Sequence, residues 1–221
     1  MSASPIRAVV FDLDGLMFNT EDVFFLAGTE LLRRRGIEMT REIMTAIIGR
    51  RPHEGFTILV ERLALKESVE HLLAESTEIF FGLLDEHLRP MPGLHDFITL
   101  VESLKLPKGV ATSSRRGYLE DLLGRYDLQS RFAMTLAAED VTHGKPNPEI
   151  YLLAASRLGV EPHEMLVLED SEAGTRAGVA AGARVVSIPH SHTAHHSFEG
   201  AALIAEGLYD PRITMLLRAQ V

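Results

Sequence analysis

The stretch VVFDLDGLMFNT, residues 9–20, limits the possible folds more than any other part of the chain. An apolar, β-branched run from Ile6 to Phe11 stops at Asp12, a second acid follows at Asp14, and Gly15 breaks the chain. A run apolar at consecutive positions suits a strand buried on both faces. The pattern then turns helical for about seventy residues, up to Leu88, before any second strand-like run. A strand buried on both faces needs parallel neighbours and covering helices. Its partners must therefore come from beyond that excursion.

Within the excursion, Thr20 can cap a segment whose Phe24, Ala27, Leu31 and Leu32 share one face, with Gly36 as its stop. Thr40–Gly49, His53–Leu65 and the long amphipathic Ser68–Leu88 continue the helical reading. The Pro/Gly break RPMPGL at 89–94 marks a boundary. After it, strands are expected at Lys108–Ala111, Met134–Ala137, Met165–Leu168, Arg184–Ile188 and Ala202–Ile204. Helices alternate with them at Leu94–Leu104, Arg115–Tyr126, Pro148–Leu158 and Glu172–Ala181. This alternation implies right-handed crossovers and a parallel sheet covered on both faces. The expected fold is α/β, a doubly wound sheet from residues 1–18 and 90–221, with a helical domain, 19–89, inserted after strand one.

Composition narrows the function classes. At 221 residues the chain can bury a full core without staples. It has no cysteine, so disulfides and thiolate metal sites are excluded. A formal charge of −9 disfavours general affinity for nucleic acid. No apolar run is long enough to span a membrane, and the first residues lack the pattern of a signal peptide. The expectation is a cytoplasmic protein with no nucleic-acid or membrane partner, of undetermined oligomeric state.

Ligands of doubly wound sheets bind at the carboxyl ends of the strands. Strand one ends in Asp12 and Asp14, and strand two in Thr112, Ser113 and Ser114. Strand three leads through Glu139 and Asp140 to Lys145, and the strand at 165–168 ends in Glu169 and Asp170. Carboxylates from separate strand ends repel unless a cation sits among them, and oxygen ligands favour Mg²⁺. A metal at Asp12 and Asp170 would offset the charge of a phosphate. Asp12 could then attack phosphorus while Asp14 serves as general acid and base. Thr112, the N–H groups after it and Lys145 would hold the transferring oxygens.

Four motifs, in order and each after an expected strand, resemble the haloacid dehalogenase superfamily in the branch of β-phosphoglucomutase and related small phosphatases. They are FDLDG (Asp12, Asp14), VATSS (Thr112, Ser113), GKPNPEIY (Lys145) and LEDSEAG (Glu169, Asp170). The resemblance implies an α/β core with a helical cap, Asp12 as nucleophile and Asp14 as acid/base. It implies Mg²⁺ bound by Asp12, the Asp14 main-chain carbonyl and Asp170, with Glu169 in or near the metal shell. Thr112 and Lys145 would bind the phosphoryl group, and Arg51, beside Arg50, lies where the family places a substrate-facing arginine. The presence of Asp14 sets the chain apart from the metal-free dehalogenases of the family. Phe24 stands where the mutases carry a histidine, and Ser68–Leu88 holds no lysine or arginine, which favours a phosphatase. The expected activity is hydrolysis of a small phosphorylated metabolite such as a sugar phosphate. The alternatives are an intramolecular phosphotransferase on the same Asp12 chemistry and a catalytically silent binding or regulatory protein on the same fold.

Two further features read as surface. The four histidines of PHSHTAHHSF, 189–198, lack helical metal-site spacing and follow a strand as a solvated loop rather than a zinc site. The run LLRRRG, 31–36, reads as an exposed helix end.

Overall fold

The computed structural model describes residues 4–47 and 52–218. The chain forms two compact units, one from the residues up to Phe18 and from Pro90 on, the other from Asn19–Arg89. In chain order the elements are β1 (Ala8–Phe11), α1 (Thr20–Arg33), α2 (Arg41–Ile47), α3 (Pro52–Leu63), α4 (Val69–His87), α5 (Leu94–Ser103), β2 (Lys108–Ala111) and α6 (Arg116–Arg125). There follow β3 (Met134–Leu136), α7 (Glu149–Leu158), β4 (Met165–Glu169), α8 (Glu172–Ala180), β5 (Arg184–Ser187), β6 (Leu203–Ile204) and α9 (Pro211–Arg218). Among the described residues, no helix is long and apolar enough to cross a membrane.

The strands form one parallel sheet in the order β3-β2-β1-β4-β5-β6. This is the doubly wound α/β arrangement expected from the alternating pattern. The run from Ala8 to Phe11 is central and wholly buried, which is why it carries no polar residue. Successive side chains leave a strand on opposite faces. Val10 accordingly joins Ile150, Tyr151 and Ala154 of α7 and Ala177 of α8. Phe11 meets Phe97 and Phe132 edge-on at 5.8 and 5.7 Å. The strand order reverses between β1 and β4, and ligand crevices of such sheets lie outside the carboxyl ends at that point.

The helical unit packs α1 on α4 through Val23, Ala27, Leu31 and Leu32 against Leu72, Ile79, Phe80 and Leu84. Three expectations are corrected here. Thr20 does not cap α1: it is the first helical residue and fully buried. The preceding Asn19 ties two distant chain segments, accepting from Arg89 N–H at 2.6 Å and donating to the His87 carbonyl at 3.2 Å. Phe24 lies at the edge of the apolar face, 45% exposed, with its ring stacked on buried Phe80 at 4.0 Å. Arg33 and Arg34 are exposed at the end of α1 as expected, but Arg35 is only 14% exposed, and the three engage Glu30, Glu67 and Glu75.

Candidate active site

The ladder runs one residue past β1, where Asp12 N–H donates to the Leu168 carbonyl at 2.9 Å, so the Asp12 side chain emerges where β1 and β4 end. Carboxylate oxygens of Asp12, Glu169 and Asp170, all buried, lie within 4.8 Å of one another. The chain then turns tightly: Gly15 N–H donates to the Phe18 carbonyl at 2.9 Å and Met17 N–H to that of Leu13 at 3.0 Å. Leu13, Leu16, Met17 and Phe18 anchor this turn in the core. Gly15 has φ +73°, and a Cβ there would sit 2.6 Å from both Asp170 Oδ2 and His190 Nε2. Only glycine suits both the backbone and the space.

Lys145 reaches the same point from the loop before α7. Glu149, the first residue of that helix, accepts from the N–H groups of Thr142 and His143 at 2.8 and 2.9 Å and so shapes the loop. The Lys145 ammonium donates to Asp12 Oδ1 at 2.5 Å, Glu169 Oε1 at 2.6 Å and the Ala111 carbonyl at 3.0 Å. Glu169 Oε1 also accepts from the Tyr151 hydroxyl at 2.6 Å. Its Oε2 accepts from the N–H groups of Asp170 and Ser171 and from the Ser171 hydroxyl. This carboxylate lies flat on α8, where a Cβ at Gly174 would fall 1.7 Å from Oε1. Of the adjacent pair Glu169 and Asp170, Glu169 is thus an anchor saturated by hydrogen bonds from five donor groups.

Asp14 points toward the end of β2. Its Oδ2 accepts from the hydroxyls of Ser114 at 2.7 Å and Thr112 at 3.3 Å, and its Oδ1 from Tyr118 at 2.8 Å. The Thr112 hydroxyl also accepts from Ser114 N–H at 3.0 Å, a turn before α6 rather than its cap. Ser113 is exposed and its side chain is not brought into the cluster. Arg50 and Arg51 lie outside the described residues. Glu139 and Asp140 serve structure instead: Glu139 accepts from Arg116 N–H at 3.0 Å, and Asp140 pairs with the Arg116 guanidinium.

Burial pushes the Asp12 carboxyl well above the usual carboxylate range; Lys145 opposes the shift, and Glu169, Asp170 and Asp14 reinforce it. Burial alone would lower the Lys145 pKa, but Asp12 and Glu169 hold its ammonium well above the ordinary lysine value. Burial and then Glu169 also raise the Tyr151 phenol, which stays a donor. Three buried acids against one lysine leave an excess of negative charge in a dry site, costly unless compensated. A hard divalent cation fits this all-oxygen donor set. With Glu169 already saturated, Asp12 and Asp170 are the side chains suited to hold it.

Sequence reasoning overlooked His190, Tyr118 and Tyr151. His190 Nε2 lies 3.0 Å from Asp170 Oδ2. Its signal was its place after β5, at the same sheet edge as the acids. Tyr118 lies a turn into α6, where no local pattern separates a site residue from a helix residue. Tyr151 sits in α7 and reads as core.

A family model for haloacid dehalogenase-like hydrolases matches residues 9–188. The chain is 33% identical, over 91% of its length and 92% of the relative's, to a phosphorylated carbohydrates phosphatase of Thermotoga maritima. It is 30% identical to a fructose-1-phosphate phosphatase of Escherichia coli, over 81% of this chain and 95% of that one. A crystal structure of a Thermotoga maritima protein described as a β-phosphoglucomutase superposes with a TM-score of 0.81, at 30% identity, over 97% of this chain and 98% of the other. With that sequence match laid over this sheet order and these clustered strand ends, the chain belongs to the haloacid dehalogenase-like hydrolases.

Proposed function

We propose that the chain is a Mg²⁺-dependent phosphatase that hydrolyses a small phosphorylated metabolite, such as a sugar phosphate, through an aspartyl-phosphate. The observation that carries this reading is the buried Lys145 ammonium held between Asp12 and Glu169, with Asp170 beside them. Relatives whose names specify phosphorylated carbohydrates and fructose 1-phosphate support the substrate class.

Bound by Asp12, Asp170 and the Asp14 main-chain carbonyl, Mg²⁺ would supply positive charge to offset the incoming phosphate. An Asp12 carboxylate oxygen attacks phosphorus as the ester P–O bond breaks, and Asp14 gives a proton to the departing alkoxide. Asp14 then takes a proton from water, which attacks the Asp12 phosphate and releases inorganic phosphate. Lys145 neutralises Asp12 before attack and remains beside the phosphoryl oxygens afterwards. The hydroxyls of Ser114, Thr112 and Tyr118 hold Asp14 in place between these roles. Hydrolysis is favoured over transfer to a second site because Phe24 stands where the family's mutases carry a histidine and residues 68–88 hold no lysine or arginine.

A screen of several dozen sugar phosphates and related monoesters, read as free inorganic phosphate with Mg²⁺ present, identifies the substrate. Asp12→Asn should lower phosphate release on the order of 10⁴-fold or more, with the fold intact. Retained activity in that variant, or isomerised sugar phosphate as the product, would refute the reading.

A further inference from the structure

The loop after β5 carries four histidines that the phosphatase reading leaves without a role. Of these, His190 faces the acids. Its side chain is 15% exposed, and Nε2 lies 3.0 Å from Asp170 Oδ2. We propose that His190 is a positioning residue, a neutral imidazole whose Nε2–H fixes the rotation of the Asp170 carboxylate toward the metal. The proposal rests on the metal site argued above.

The loop's own backbone dictates the tautomer. His192 N–H donates to His190 Nδ1 at 3.3 Å, so Nδ1 must be an unprotonated acceptor. The ring proton then resides on Nε2 and points at Asp170. A doubly protonated ring would set Nδ1–H against the His192 N–H, donor against donor. The ring is held from behind as well: His190 N–H donates to the Thr193 hydroxyl at 3.1 Å. The N–H groups of Thr193 and Ala194 return to the His190 carbonyl at 3.0 and 2.8 Å. Thr193 is itself buried, so this hydrogen-bonded turn sits on the core.

The geometry around Asp170 leaves little latitude. Oδ2 is closed in by His190 on one side and by Gly15 on the other, where no side chain could fit. A ligating carboxylate with one oxygen held by a donor cannot rotate about its Cβ–Cγ bond, so the direction of its other oxygen is set. Outer partners of this kind change metal affinity without touching the ion. A neutral donor does so without adding a positive charge that would compete with the cation.

The test is calorimetric titration of Mg²⁺ into the wild type, Asp170→Asn, His190→Ala and His190→Gln, with thermal melts to verify folding. Wild type should bind Mg²⁺ and Asp170→Asn should not. His190→Ala should weaken binding about 10- to 100-fold, and His190→Gln, whose amide N–H can replace Nε2–H, should recover most of the loss. Binding in His190→Ala within about twofold of wild type, or His190→Gln no better than His190→Ala, overturns the assignment alone. A wild type that binds no Mg²⁺ overturns the metal reading itself. On the metal-free wild type, imidazole ¹⁵N–¹H correlation spectra should show the Nε2–H form for the signal lost in His190→Gln. The Nδ1–H form there would also overturn the assignment.

Discussion

The two units of this chain each hold a network of opposite charges, and the two networks behave differently although their distances are alike. In the α/β unit Lys145 lies 2.5 and 2.6 Å from Asp12 and Glu169, and none of the three side chains is more than 9% exposed. In the helical unit Arg33, Arg34 and Arg35 meet Glu30, Glu67 and Glu75 at 2.6–3.2 Å. There the arginine exposures run from 72% down to 14%. Contact length therefore says little about what an ion pair does; burial decides it. Exposed pairs contribute about 0–1 kcal/mol each and are screened by salt. Buried charges depend on one another, because removing one partner strands the other in a medium that cannot solvate it. The helical-unit network ties the end of α1 to α4, and the Lys145 network holds a buried lysine between acids from two strand ends.

The two networks should differ most at Lys145. Lys145→Met leaves Asp12 and Glu169 without their cation and should cost about 3–5 kcal/mol. That corresponds to a fall in Tm of about 10 °C for a chain of this length, and phosphate release should disappear with it. A melt unchanged by the substitution would mean the acids are protonated and the buried network is not ionic.

Next in size is Tyr118→Phe, which removes one hydroxyl from Asp14. With Ser114 and Thr112 still in place, kcat should fall about tenfold, near 1.4 kcal/mol, while KM holds, because Tyr118 acts through Asp14. A raised KM with kcat unchanged would place Tyr118 on the substrate instead.

Arg35→Ala removes the least exposed of the three arginines in this network, paired with Glu75 at 2.6 Å and Glu67 at 2.9 Å. It should cost about 1 kcal/mol at low salt and less near 1 M NaCl, as denaturant midpoints would show. Salt should leave the Lys145 effect nearly untouched, and that contrast tests the comparison directly.

The smallest effect concerns pH. Hydrogen bonds from Arg33 and then Arg34 lower the Glu30 carboxyl from 4.5 to about 2. A carboxyl depressed in the folded state stabilises fully above its unfolded value and loses that contribution as pH falls through its folded one. The helical unit should therefore lose a small increment between about pH 4.5 and 2, and Glu30→Gln should abolish it.

The legible parts of the molecule are those governed by short-range rules. The continuous apolar run ending at Asp12 specified a strand buried on both faces. Regular alternation after residue 94 specified a parallel sheet, and the rule that ligands gather at carboxyl ends of strands singled out Asp12, Lys145, Glu169 and Asp170. What periodicity does not contain is which strands become neighbours. Asp12 meets Asp170 because β4 returns to pair with β1, and no local pattern encodes that order. Nor does adjacency in sequence predict burial. Glu169 and Asp170 follow one another, yet Lys145, Tyr151 and Ser171 saturate the first, which lies against Gly174, while Gly15 and His190 enclose one oxygen of the second. The same limit hid Tyr118, one turn into a helix, and the carboxylate partners of Arg33, Arg34 and Arg35. Residue chemistry and spacing were enough to name the acids and the lysine that gather at the strand ends, but not His190, Tyr118 or Tyr151. Their division into anchor, ligand and positioning residue arose only where distant segments pack, because desolvation and hydrogen-bond saturation belong to the assembled site and not to any residue in it.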